Sequence, residues 1–150
     1  MPPDVTELVR QAVRAAAEGN PSGFLASINE LERRGWDESG VYILEALMTA
    51  VDELPSWEPD DVAALTRRAS ERFRDSLDIS LPVMEAEIRS ASGDEGLVRG
   101  IPRDLGLVHS LLAVGQIIHE GRLTLVEALD PPSPEEQSTN ATGQGAPTEQ

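Results

Sequence analysis

Between Val5 and Glu18 the apolar residues Val5, Leu8, Val9, Ala12, Val13 and Ala16 fall on one stripe, and the opposite face is Arg, Glu and Gln. A stripe at 3.6-residue spacing specifies an α-helix that buries one side, whereas a half-buried strand would have to alternate. The same period returns along the chain between residues that start and stop helices. In NPSGFLASINELERRGW, Asn20 can cap, Pro21 suits the first helical position and Gly35 suits the left-handed residue that ends the helix. A third helix is expected from about Glu38 to Leu54. Its polar residues Glu45, Thr49, Asp52 and Glu53 occupy a narrow sector, so most of its circumference is expected to be buried.

A fourth helix opens at EPDDVAALTRRA, with Pro59 in the first turn and Asp60 and Asp61 beside the positive end of the dipole. Its stripe is Val62, Leu65, Ala69, Phe73 and Leu77. Ser80 to Ala91 gives a weaker amphipathic pattern, SGDEG at Ser92 to Gly96 reads as a break, and a last long helix is expected from about Pro102 to Glu120. No alternating run of β-branched residues is long enough for a sheet. The predicted fold is therefore all-α, a single-domain helical bundle or helical-hairpin array of five to seven helices, with the third and the last long helix at its centre. The short turns EGNPSG and RRGWDES favour antiparallel neighbours.

After Asp130 the chain runs PPSPEEQSTNATGQGAPTEQ, without Leu, Ile, Val, Met or an aromatic residue. Such a segment cannot bury enough surface to offset the entropy of ordering it. Residues 1–130 are accordingly expected to form the helical domain and residues 131–150 a disordered acidic and polar tail.

Charge limits what the chain can bind. Against 27 acidic residues stand 12 basic ones, a formal charge of −15, and every basic residue is arginine. A GC-rich coding sequence accounts for the absence of lysine, and a salt-adapted source would give the same signature. Nucleic-acid binding draws its affinity from clustered cations. The densest basic run here, Arg67 to Arg74, is interrupted by Glu71 and followed by Asp75, so it reads as a solvated, salt-bridged helix face. No nucleic-acid partner is expected. The lack of cysteine excludes disulfides, Cys-based zinc sites and a thiol nucleophile. The amino terminus has no basic segment followed by an apolar run, and no stretch approaches the roughly 20 apolar residues of a bilayer span. A soluble cytoplasmic protein with no membrane partner is the expectation.

The two histidines, His109 and His119, lie in the same run, HSLLAVGQIIHEG. At about 100° and 1.5 Å per residue they diverge by about 80° and sit about 15 Å apart along the axis, so they cannot share an ion. Neither HExxH nor the ExxH of di-iron bundles occurs, and no metal or cofactor is expected. On this otherwise apolar helix His109, Gln116 and Glu120 form one polar stripe, read as a narrow wet edge or, alternatively, with His109 and Gln116 as the polar mouth of a ligand pocket. His119 stands in the last turn before Gly121, where an imidazole can meet free carbonyls. No GxSxG elbow, phosphate-binding loop or dinucleotide fingerprint is present. Glu85 and Glu87 point to different sides of their helix, and the pair Glu45 and Asp52 is expected to face solvent.

These readings favour a non-catalytic interaction or regulatory protein, of adaptor, inhibitor or immunity type, whose acidic helical surface engages a basic protein surface. Glu58, Asp60 and Asp61 are the candidate contacts, set against the simpler role of stabilising a helix amino terminus. The alternative is a helical domain that binds a small molecule between its central helices, and catalysis by carboxylates from separate helices is held in reserve. Two helices that are apolar around most of their circumference are a large demand on one small domain. Some of that surface is therefore expected to be shared in a homodimer.

Overall fold

The computed structural model describes residues 4–129. Its elements are α1 (Val5–Glu18), α2 (Pro21–Arg34), α3 (Asp37–Val51), α4 (Pro59–Arg72), α5 (Leu81–Ala91), a 3₁₀ turn (Glu95–Val98), α6 (Arg103–His119) and α7 (Leu125–Leu129). There is no strand among the described residues, and the chain is an all-α helical bundle. The proposed tail, residues 131–150, lies outside the described residues.

Several helix starts follow from local chemistry. The Asp4 carboxylate accepts from the Glu7 N–H at 2.8 Å, Asn20 Oδ1 from the Gly23 N–H at 3.1 Å, and Ser80 Oγ from the Val83 N–H at 3.3 Å. Each satisfies one of the free donors that every helix amino terminus presents. Pro21 occupies the first turn of α2 as anticipated. Gly35 ends that helix at φ 87° and ψ 158°, not in the left-handed helical well but in a region open essentially to glycine alone.

Helix α6 forms the centre. Gly106, Leu107 and every residue from His109 to Ile117 are buried. It packs against α1 and α3 most extensively, then α5 and α4, while α2 pairs with α1 and α7 packs on α3 and α1. The crossing of α1 and α6 depends on small residues. A Cβ at Gly115 would collide with the Ala16 side chain and approach the Ala17 nitrogen to 3.0 Å.

Helix α3 corrects the expectation of burial around most of its circumference. Ile43, Ala46, Leu47, Ala50 and Val51 face the core, but Val41, Leu44 and Met48 are 60%, 43% and 55% exposed. A bundle this small encloses only one helix on several sides, and α6 takes that place. Helix α3 also stops at Val51, where the Glu53 and Leu54 N–H groups turn back onto Ala50 and Val51 carbonyls. Helix α4 ends at Arg72, yet Phe73 is buried and Leu77 packs against the core through the following turn. No helix of the described residues is long and apolar enough to cross a membrane.

Candidate functional site

The acids singled out in the sequence lie where α4 begins. Glu58 caps the helix by backbone position without a side-chain hydrogen bond, Asp60 and Asp61 occupy the first turn, and all three are exposed. Just before them, Trp57 Nε1 donates to the Val51 carbonyl at 2.9 Å. That bond ties the acidic segment to the carboxyl end of α3.

His109 does not lie on a wet edge. It is 2% exposed, and both ring nitrogens are engaged. Nε2 accepts from the Ser80 N–H at 2.9 Å, which leaves the proton on Nδ1 to donate to the Leu105 carbonyl, also at 2.9 Å. Burial pulls its pKa below the usual value, outweighing the opposing effects of the Leu105 carbonyl and the Asp78 charge. A neutral imidazole thus fastens the start of α5 to α6. The wheel misplaced it because its partner is a backbone donor from another element.

Gln116 is likewise 2% exposed, so the proposed polar stripe is a seam between helices, buried at His109 and Gln116 and half-buried at Glu120. Its Oε1 accepts from Arg72 Nε at 2.8 Å and its Nε2 donates to Glu120 Oε2 at 2.7 Å. Arg72 Nη2 donates to the Ala16 carbonyl at 2.8 Å, and His119 Nδ1 lies 3.2 Å from the Ala17 carbonyl. Arg68 completes the seam with two bonds to Glu120, at 2.7 and 2.9 Å. Burial pushes the Glu120 carboxyl up, but hydrogen bonds from Arg68 and Gln116 and nearby arginine charges bring it below its ordinary value. The run Arg67 to Arg74 is therefore more than a self-paired solvated face. Arg68 reaches across to α6, and Arg72 to α6 and to the Ala16 carbonyl at the end of α1. Four clefts of about 260, 330, 300 and 320 Å³ are lined by residues other than His109 and Gln116.

Two features of the surface were not read from the sequence. The first is the outward face of α3. Val41, Leu44 and Met48 follow i, i+3, i+7 spacing; the exposed acids Glu38, Glu45 and Asp52 flank them along one side of the helical wheel, and Asp37 lies at the amino-terminal end of the stripe. Glu45 and Asp52 do face solvent, as expected.

The second is the cleft of about 260 Å³ that Leu44 shares with α5, α6 and the segment between them. Its apolar walls are Leu44, Val98, Ile101, Pro102 and Leu107, and Glu87 lines it from α5. The Glu87 side chain is 93% buried by residue, since only 7% is exposed. Oε1 lies 3.2 Å from Ser110 Oγ, and Gly106 leaves room for Oε2, which a Cβ there would strike. Burial raises the Glu87 pKa, and the Ser110 hydrogen bond only partly offsets this. The sequence held a signal for this position. Met84, Glu87, Ile88 and Ala91 follow i, i+3, i+4, i+7, which puts the carboxyl inside the apolar stripe of α5.

Among the described residues, no three His, Asp or Glu side chains gather as metal ligands. No family model, curated protein or solved structure matches the chain.

Proposed function

We propose that the chain is a non-catalytic interaction protein that binds a basic protein partner through the outward face of α3. The observation that carries this reading is the open stripe Val41, Leu44 and Met48, bordered along one side and at its ends by Asp37, Glu38, Glu45 and Asp52. An apolar centre with a polar rim is the anatomy of a protein interface. Contiguous apolar residues on one helix face are also the arrangement by which a groove or helix partner is recognised.

Charge selects the partner. A chain of −15 attracts a surface rich in Arg and Lys, and Glu58, Asp60 and Asp61 add to the same field beside the end of α3. Two copies of the chain brought face to face would repel each other, so the apolar stripe is better matched to a cationic partner than to itself. Residues 130–150 offer no large apolar side chain with which to cover it.

The test uses Val41→Gln/Met48→Gln, which removes apolar surface without changing charge or helix compatibility. The parent chain is expected to retain one basic protein at stoichiometric amount from its native host, and the double variant, with unchanged circular dichroism, is expected to lose it. Equal retention by both would overturn the reading. A doubled mass in light scattering that the double variant halves would assign the face to a second copy of the chain instead.

A further inference from the structure

We propose that the Glu87 cleft receives an arginine side chain of the partner, its aliphatic stem against Leu44, Ile101 and Leu107 and its guanidinium on the free oxygen of Glu87. The inference rests on the interaction reading above and assigns the specificity of the same surface, because Leu44 belongs both to the α3 stripe and to the cleft wall.

The carboxyl lacks partners for a buried acid. An ionised carboxylate accepts at up to about four lone-pair sites. Ser110 supplies one proton, and the Gly106 carbonyl, 2.9 Å from Ser110 Oγ, competes for it at shorter range than Glu87 Oε1 at 3.2 Å. Among the described residues no other hydrogen bond and no ion pair reaches Glu87. Oε2 faces the cleft through the space that Gly106 leaves. The nearest cation on the wall, Arg103, is turned away: its Nη1 donates to Asp37 Oδ1 at 3.1 Å and its Nη2 lies over Gly40.

Size and solvation narrow the occupant. The cleft, about 260 Å³, is smaller than the roughly 300–1,000 Å³ of ordinary small-molecule sites. It suits one long side chain better than a cofactor. Of the two basic side chains, arginine is the more weakly hydrated and the more common in buried interfacial pairs, and its stem can cover apolar walls. A second carboxylate would repel Glu87, and a neutral donor could hydrogen-bond its free oxygen but would leave its charge uncompensated.

The experiment has two arms, both using the full chain and Glu87→Gln, which keeps the shape and the Ser110 contact but removes the charge. In the first, n-butylguanidinium chloride is titrated while amide signals are followed by NMR. Saturable shifts centred on Leu44, Ile101, Gly106 and Leu107 are expected with the parent, and neither Glu87→Gln nor the uncharged probe butylurea should reproduce them. Equal shifts in the variant, equal shifts with butylurea, or no saturable shift would overturn the proposal. In the second arm, the protein retained by the α3 face is titrated against Glu87→Gln, which is expected to weaken binding about tenfold or more, as loss of one member of a buried charge pair does. Unchanged affinity there, with binding still lost in Val41→Gln/Met48→Gln, would overturn the arginine assignment while leaving the α3 interface standing. Loss in neither variant would instead overturn the interface.

Discussion

Two buried titratable side chains make opposite contributions to stability as pH changes. The folded pKa of His109 lies below its ordinary 6.5, so the folded state stays neutral while the unfolded chain takes up a proton. The stability it contributes is complete above about pH 6.5 and is lost as pH falls below that value, with a limiting slope of about 1.4 kcal/mol per pH unit. Protonation would also place a proton on Nε2, where the Ser80 N–H now donates. Glu87 is the reverse case. Its folded pKa is raised above 4.5, so the stability it contributes is fully present below about pH 4.5 and is lost as pH rises through the folded pKa. Urea unfolding between pH 5 and 7.5 is expected to show His109→Gln losing the acid-side slope of the parent, and Glu87→Gln unfolding at higher urea at pH 7. A parent slope unchanged by the His109 substitution would mean that the folded and unfolded imidazoles take up the proton alike, so that burial does not lower its pKa. The sequence named His109 but misjudged its surroundings, because a single-helix wheel does not contain the Ser80 backbone N–H from which the ring accepts.

Elements were more legible than their contacts. Helix α1 spans the expected residues, and α6 is the central helix that apolar residues around most of its circumference implied. Period and capping chemistry are local, and both are written within ten or so consecutive residues. Which face of α3 would meet α6, α7 and α1 is a property of the assembled bundle, and its apolar excess was therefore read as burial when part of it is surface. The joint between α1 and α6 shows how closely such assembly is specified. Gly115 lies against Ala16 and the backbone of Ala17, and neither offers a flexible side chain that could withdraw. Gly115→Ala should gain helix propensity, up to about 1 kcal/mol, yet overpacking of this kind costs about 1–3 kcal/mol, so a net loss is expected. Thermal denaturation checks the sign. A rise in melting temperature would show that the two helices separate readily and that α6 is not tightly held by α1.

At the scale of the whole molecule the net charge should govern how fast the partner is found more than how long it stays. The long-range field of a −15 chain acts before contact and is screened over about 8 Å at physiological ionic strength, whereas the stripe of Val41, Leu44 and Met48 acts only once the surfaces meet. Exposed acids such as Glu58 and Asp60 contribute to the first stage, since neither is held in an ion pair among the described residues. Glu87 belongs to the second, because it lies within a cleft that water must leave. Raising salt from about 0.05 to 0.5 M is therefore expected to slow association with the retained basic protein by about tenfold or more while changing dissociation far less, within the range that electrostatic steering supplies. Glu58→Gln/Asp60→Asn should reproduce a smaller part of the slowing, whereas Val41→Gln/Met48→Gln should act mainly by speeding dissociation. Stopped-flow kinetics separates the two. An association rate indifferent to salt and to the α4 acids would remove charge from the recognition of the partner and leave the α3 stripe alone to account for it, and a dissociation rate untouched by the α3 substitutions would assign the contact to another face.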